Sequence, residues 1–163
     1  MRRCVNCDSK DMRQSERVVE SEVPFRWSNG ERRIAFQAVL SVLKCGSCGT
    51  VYESGEELER FDLLVAHELT SLGVVAGGVV RFVRKALGFK AADLAGLLGV
   101  TPETISHWEN DRTKPDRAAW ATLGALVRDR LNNRTSTLDQ LKALRKPPAK
   151  IPNKPVQLKL AVA

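Results

Sequence analysis

The sequence has few histidine and aromatic residues and no long apolar run. Only two of its 163 residues are histidines, and aromatic side chains make up 6%. The longest apolar stretch, residues 74–80, is far shorter than the ~20 residues that a membrane-spanning helix needs. Residues 1–4 lead into polar sequence and not into the apolar segment of a secretory signal. These absences predict a soluble cytoplasmic protein with no membrane partner.

Catalytic signatures are also missing. The two histidines, His67 and His107, fall in separate predicted elements. There is no GxSxG motif, no phosphate-binding P-loop and no set of histidines and carboxylates spaced for a catalytic metal. We therefore expect that the protein is not an enzyme.

Charge is unevenly distributed along the chain, whose net charge is +7. Residues 1–70 carry 10 basic and 12 acidic side chains, which gives −2, whereas residues 71–163 carry 16 and 7, which gives +9. A basic half of this kind suits a polyanion such as DNA. The near-neutral half predicts a different partner.

All four cysteines occur in two CxxC pairs, Cys4 with Cys7 and Cys45 with Cys48. Two residues between ligands allow a tight turn to direct both sulfurs at one ion, and two such turns complete the closed tetrahedral shell of structural zinc. The spacing therefore predicts one structural Zn²⁺ per chain. Iron in a rubredoxin-like site has the same ligands and stays open as an alternative. Disulfides are disfavoured because cytosolic thiols remain reduced.

The 37 residues between the pairs predict a β-hairpin. Residues 17–25 and 34–43 are rich in β-branched and apolar side chains, and Asn29-Gly30 between them is a strong hairpin signal. Ile34, Phe36 and Ala38 share one face, which Val42 continues. Pro24 predicts that the first strand either lies at a sheet edge or breaks there.

A helix is predicted from a capping box, with Ser54 at the N-cap and Glu57 three residues later, to about Ser71. Its expected apolar side carries Phe61, Leu64, Val65 and Leu69. The glycine-containing residues 73–78 then predict a hinge between two domains.

The basic half has the pattern of a helix-turn-helix. Helices are predicted at 79–87, with Arg81, Arg84 and Lys85 outward, at 91–98, and from Pro102 onward. Small Ala95 allows two helices to cross closely, and Gly99 can end the second helix in a left-handed conformation. Thr101 is placed to cap the third helix, and Ile105 and Trp108 are placed to pack it onto the first two.

Two further helices are predicted after this motif. Asp116 caps the first, which has Trp120, Leu123, Val127 and Leu131 along one face, and the second carries Leu138, Leu141 and Leu144. Trp120 and Leu123 are assigned to the core, and the remaining apolar side chains are assigned to a two-fold dimer interface. Residues 146–163, with four of the seven prolines and four lysines, are predicted to form an extended tail.

Residues 91–110, with the Trp108-Glu109 and Lys114-Pro115 that end the motif, resemble the Xre/Cro-type DNA-binding domain of phage repressors. Asp111 departs from that pattern, in which a glycine is usual. The two CxxC turns, the hairpin, the helix and this domain, in that order over residues 1–131, resemble the MqsA antitoxin family, or YgiT-type zinc-finger proteins.

This resemblance implies a two-domain antitoxin. Its zinc-bound N-terminal domain binds and neutralises a small basic toxin, typically an mRNA-cleaving ribonuclease. Its helix-turn-helix domain forms a homodimer through the C-terminal part, binds a palindromic double-stranded DNA operator and represses its own operon. A zinc-finger helix-turn-helix regulator without a toxin is the alternative.

The resemblance places the base-reading positions at Glu103 and His107. Physical chemistry is consistent with this, because Glu103 can accept a hydrogen bond from cytosine N4, Thr104 can contact a thymine methyl group, and His107 can donate to a purine N7. The alternative for Glu103 is an acid in the first turn of the helix that interacts favourably with the helix dipole. Candidates for phosphate contacts, which set affinity and register, are Lys90, Thr101, Ser106, Arg112 and Lys114.

The predicted fold class is α+β, with a small zinc-bound β-hairpin domain followed by an all-α helix-turn-helix domain of the Xre/lambda-repressor type. Residues 1–72 form the first domain with its linker helix, residues 73–145 form the second, and residues 146–163 form the tail.

Overall fold

The computed structural model describes residues 3–27 and 30–146. Three strands precede six helices in this part of the chain, so the α+β class is confirmed. The strands are β1 (Met12–Trp27), β2 (Gly30–Cys45) and β3 (Val51–Tyr52), and the helices are α1 (Gly55–Ser71), α2 (Gly77–Ala86), α3 (Ala91–Leu98), α4 (Pro102–Glu109), α5 (Arg117–Leu131) and α6 (Ser136–Leu144). No helix in these ranges is long and apolar enough to cross a membrane.

The strands β1 and β2 form a long antiparallel ribbon, and β3 pairs with the other side of β2. Each long strand has 16 residues, so the ribbon extends well beyond the predicted strands. The Asn29 of the predicted turn lies outside the described residues. Pro24 does not break β1 but pairs with Arg33 inside it. A proline is tolerated there because β1 is an edge strand, where a missing N–H removes no ladder bond to a further strand.

Successive side chains of the ribbon point to opposite faces, which we call inner and outer. The inner face carries the odd-numbered residues of β1 and the even-numbered residues of β2, and it packs against the helices. The prediction that Ile34, Phe36, Ala38 and Val42 share a face is confirmed, and that face is the inner one. Val23 from β1 is 1% exposed and joins the helical core.

Helix α1 begins and ends where predicted, but its N-terminal details differ. Ser54 occupies the N-cap without a side-chain capping bond, and Glu57 Oε2 is buried without a hydrogen-bond partner among the described residues. The predicted capping box is therefore wrong.

The buried side of α1 also differs from the prediction. Leu64 was predicted on that side, but it is 46% exposed, and Leu63 is buried instead. Leu63 faces the end of α5, which packs along α1 and widens its buried stripe on that side.

The hinge predicted at residues 73–78 is shorter in the structure, because Gly77 and Gly78 are the first residues of α2. These glycines allow close packing. A Cβ atom on Gly78 would lie 2.0 Å from the carbonyl oxygen of Pro24, and one on Gly77 would lie 2.6 Å from that of Glu109. The start of α2 is therefore held tightly between the ribbon and the end of α4.

One cluster of buried side chains joins Val23 of the ribbon with residues from α1 to α5. It contains residues from both sides of the boundary predicted at residue 72. Val80, which was not predicted to face inward, is fully buried. Leu123 is also fully buried and Trp120 packs against the cluster, as expected.

Helix α6 packs against this same core through Leu138 and Leu141. These two leucines were predicted at a dimer interface, but in the structure they are partly buried against the core of their own chain. Leu144, at the end of α6, remains 76% exposed. Asp129 of α5 fixes the start of α6 by accepting a 2.7 Å hydrogen bond from the Thr137 N–H, and this bond holds the pKa of Asp129 below its usual value.

Candidate metal centre and nucleic-acid interface

The four cysteine sulfurs converge at one end of the ribbon, where they all lie within 4.8 Å of one another. The Sγ atoms of Cys4 and Cys48 are 3.5 Å apart, and those of Cys7 and Cys45 are 3.6 Å apart. A tetrahedron with metal–sulfur bonds of ~2.3 Å has edges of about 3.8 Å, so this spacing suits a metal ion. All four thiols are free of disulfide bonds. The cluster can therefore bind a metal ion, as the CxxC spacing predicts.

The two cysteine turns have the same backbone design. In each, the N–H of the residue after the second cysteine donates to the carbonyl of the first, from Asp8 to Cys4 and from Gly49 to Cys45, both at 2.9 Å. Both following residues have positive φ, 57° at Asp8 and 75° at Gly49. This conformation suits glycine and is tolerated by aspartate. The ligand pairs are therefore presented by two equivalent turns.

Two hydroxyl groups that were not predicted from the sequence lie next to the sulfurs. The Tyr52 hydroxyl is 3.1 Å from Cys4 Sγ and accepts a 2.9 Å hydrogen bond from the Val5 N–H. The Thr50 hydroxyl is 3.1 Å from Cys48 Sγ. Hydrogen bonds of this kind orient metal ligands and tune their basicity. The one feature of the sequence that could have indicated these roles is that Thr50 and Tyr52 follow closely after the second cysteine turn.

The sulfurs differ in acidity because of these neighbours. Hydrogen bonds from the Thr50 side chain and backbone lower the pKa of Cys48 to about 5. The Tyr52 hydroxyl also lowers the pKa of Cys4. A backbone hydrogen bond from Ser9 acts to lower the pKa of Cys7, but the neighbouring Cys48 thiol, burial and the other cysteines together raise it to about 12. The hydrogen bonds from Thr50 therefore favour the thiolate form of Cys48, which is the form that binds a metal ion.

Helices α3 and α4 form the predicted helix-turn-helix geometry. Gly99 ends α3 in the left-handed region with φ of 69°, and Thr101 caps α4 by accepting a 3.2 Å hydrogen bond from the Thr104 N–H. Ile105 is fully buried and Trp108 is 6% exposed, so they fix the inner side of α4. The opposite side of α4 is left toward solvent.

That outward side contains the predicted base-reading residues. Glu103 and Ser106 are exposed and His107 is half-buried; these three share one helix face because they are three or four positions apart. Thr104 is half-buried, and its hydroxyl lies 3.2 Å from that of Thr101. A hydrogen bond from its own backbone N–H, followed by one from Thr101, lowers the pKa of Glu103 and favours its anionic form.

Three of the predicted phosphate-contact residues lie at the start of α3 and in the loop after α4. Lys90 is the exposed N-cap residue of α3, and Arg112 and Lys114 are exposed in the loop after α4. The loop is tied to the helix, since the Arg112 N–H donates to the His107 carbonyl at 2.9 Å. Asp111 has φ of 56° and accepts a 2.6 Å hydrogen bond from the Gly77 N–H, so it also caps α2.

An ion pair fixes α4 against α2. The Arg84 guanidinium donates to both carboxylate oxygens of Glu109, at 2.5 and 3.2 Å, and to the Phe89 carbonyl at 2.7 Å. The Arg84 side chain is only 12% exposed and that of Glu109 only 8%. The prediction that Arg84 points outward is therefore wrong. Its charge is buried because the carboxylate of Glu109, 25 residues away in sequence, compensates it.

Residues 80–120 match the family model described as helix-turn-helix. The match covers most of α2, all of α3 and α4, and the start of α5, about a quarter of the chain. No curated protein and no solved structure matches the chain. The match supports a DNA-binding regulator and does not extend to the cysteine cluster or the ribbon.

Proposed function

We propose that the protein is a sequence-specific DNA-binding repressor and the antitoxin of a toxin–antitoxin pair. The observation that carries the DNA-binding part is the outward face of α4. Its inner side is fixed by Ile105 and Trp108, and its outer side offers Glu103 and His107. Exposed basic residues lie nearby in the sequence, at Lys90, Arg112 and Lys114. This is the arrangement in which a recognition helix enters the major groove.

The antitoxin part is supported by the order of features along the chain. A cysteine cluster, a ribbon, a helix and a helix-turn-helix follow one another as in the MqsA family that the sequence resembles. In this proposal the ribbon half binds a small basic toxin, while the basic half binds the operon's own operator. A search of the adjacent reading frame for such a protein, followed by co-expression, tests this part. A chain that protects cells from no co-expressed toxin would be a regulator alone.

Zinc is the metal proposed for the cysteine cluster. The residues that hold it are Cys4, Cys7, Cys45 and Cys48, and with four sulfur ligands the ion has no open position for catalysis. When bound, the ion supplies folding energy and no reaction step. Metal analysis of the purified protein distinguishes zinc from iron.

A homodimer is part of the proposal, because one recognition helix covers few base pairs. Two helices related by a two-fold axis read half-sites about 34–36 Å apart, which raises specificity. The C-terminal part is the proposed contact, with Leu144 available on its surface. Sedimentation of the full chain with and without operator DNA tests this arrangement.

Replacing His107 tests the assignment of the reading face. His107→Ala is expected to weaken binding to the operator by ~1–3 kcal/mol, with a smaller effect on unrelated DNA, because one base-edge contact is lost. Titration of fluorescent duplexes at fixed salt measures both affinities.

Lys114→Ala is the matched comparison, since Lys114 is exposed in the loop after α4. It is expected to weaken binding to all sequences similarly and to reduce the salt dependence by about one phosphate contact. An unchanged operator affinity for His107→Ala would show that the reading residues have been assigned incorrectly.

A further inference from the structure

The charged side chains of the ribbon are sorted between its two faces. By the register of β1 and β2, the glutamates lie on the outer face, at Glu16, Glu20, Glu22 and Glu31. The charged side chains of the inner face are all basic, at Arg13, Arg17, Arg32 and Lys44. On the outer face the cations, Arg26 and Arg33, are near the turn. The outer face is therefore acidic over its middle, at Glu16 and Glu20.

Two aliphatic side chains lie exposed in the middle of this acidic face. Val18 is 58% exposed and Val39 is 61% exposed, and they are direct cross-strand partners. The next residues of β1 on the same face are Glu16 and Glu20. Single exposed valines are ordinary, but an adjacent pair on one sheet face forms a small apolar patch.

A groove continues the outer face toward the metal centre. It has a volume of about 260 Å³ and is lined by Arg3, Val5, Met12, Leu43 and Tyr52. Met12 and Leu43 belong to the outer face, and Val5 is 91% exposed. This volume is below the usual range for small-molecule sites and suits a single inserted side chain.

We propose that the outer face of the ribbon is the docking surface for the basic partner protein, which here rests on the proposed antitoxin function. An apolar side chain of the partner fills the groove, aliphatic groups cover Val18 and Val39, and Lys or Arg side chains reach Glu16 and Glu20. Glu16 has no hydrogen bond or ion pair among the described residues. Glu20 accepts a 2.6 Å hydrogen bond from the neutral Gln37 side chain, whereas Glu22 is already paired with Arg33.

The negative charge of the outer face disfavours two other binding partners, DNA and a second copy of this chain. DNA would be repelled by the glutamates, and its own binding face lies on α4. A second copy of this chain bound through a two-fold contact would place the acidic rows against each other. The outer face therefore fits a surface that presents cations around an apolar anchor, and electrostatic complementarity would speed the encounter.

The test uses the full chain with the small basic protein encoded in the adjacent reading frame. The double variant Val18→Thr/Val39→Thr keeps β-branched side chains, and we expect it to weaken binding of that protein by about tenfold or more. Val51→Thr is the matched control, because Val51 is 38% exposed but pairs with Lys44, whose side chain belongs to the inner face. The control is expected to bind like the wild type.

A second variant separates charge from apolar contact. Glu16→Gln/Glu20→Gln is expected to slow association by about tenfold at low salt and to have little effect at high salt. Equal binding by wild type and both double variants would overturn the proposed surface while leaving the antitoxin function standing. Absence of binding by the wild type overturns both, and the DNA titrations then report on the repressor function alone.

The lysine-containing residues 147–163 of the chain itself are a competing occupant. A chain that ends at Lys146 is expected to bind the partner as the full chain does. A large gain in affinity on this deletion, abolished by Val18→Thr/Val39→Thr, would assign the outer face to the protein's own tail and overturn the proposal.

Discussion

Removal of the metal is expected to unfold both cysteine turns and the adjoining end of the ribbon, while α1 to α6 stay folded. Apparent binding free energies of structural zinc are about 10–16 kcal/mol, and this end of the protein has little else to hold it. Apart from the buried ligands Cys4 and Cys45, Val42 is the buried apolar residue nearby. The helices are held by a different buried cluster, which includes Val23 from the part of the ribbon nearer its turn and none of these three residues. We therefore expect the two ends of the molecule to respond differently.

Hydrogen exchange with and without chelator measures this response. The N–H groups of Cys45, bonded to Thr50, and of Gly49, bonded to Cys45, are expected to lose protection, whereas the core amides of α1 keep theirs. Tyr52→Phe is a control that leaves all four ligands in place. It removes the hydroxyl beside Cys4 and is expected to weaken metal binding by about 10–100-fold without unfolding the loaded protein. If the amides of the cysteine turns stay protected from hydrogen exchange after complete metal removal, the metal has no structural role.

Arg84→Ala is expected to lower the free energy of unfolding by about 3–5 kcal/mol. The substitution leaves the carboxylate of Glu109, 8% exposed, without its main partner and frees the Phe89 carbonyl. Because α4 is held on α2 by this pair, operator binding is expected to weaken as well. Urea denaturation measures the stability, and the operator titration measures the affinity.

Arg81→Ala is the matched control for Arg84→Ala. Arg81 belongs to the same helix and contacts the same Glu109 carboxylate at 3.3 Å, but its side chain is 47% exposed. An ion pair of that kind contributes about 0–1 kcal/mol because water screens it. Similar losses for the two variants would contradict the assignment of a buried ion pair. The double variant Arg84→Met/Glu109→Leu removes both charges and is expected to restore much of the stability.

Features with local causes were predictable from the sequence. Gly99 ends α3 and Thr101 caps α4 because each effect acts within a few residues of the chain. The same is true of Asp116, whose carboxylate accepts a 2.7 Å hydrogen bond from the Ala119 N–H. The cysteine spacing likewise predicted the cluster, since each CxxC turn is a local structure.

Features that depend on distant contacts were not predictable. Arg84 has the pattern of a solvent-facing charge until folding brings Glu109 beside it. A glycine in the sequence can indicate either a flexible hinge or a close contact between two backbones. Gly78 is of the second kind, because the Pro24 carbonyl packs against it, and Pro24 is distant in the sequence. Leu63 is buried in place of Leu64 because α5, many residues later, packs beside α1.

The candidate sites divide in the same way. The four metal ligands are visible in the sequence, but the hydroxyl groups of Thr50 and Tyr52 acquire their roles only when β3 pairs with β2 beside the turns. The outer ribbon face could not be seen either, since the sorting of charges requires the register of β1 against β2. A shift of one residue would exchange the faces.

The most direct test of the claim that α4 reads DNA sequence is to compare the base preferences of the wild type and of Glu103→Ala. Duplexes selected from a random pool by the wild type are expected to share a two-fold symmetric site with a cytosine contacted in each half-site, because a carboxylate accepts from cytosine N4. Glu103→Ala is expected to lose the preference at that base pair and to keep the others. Selection of no shared site by the wild type, or an identical preference for Glu103→Ala, would contradict the account.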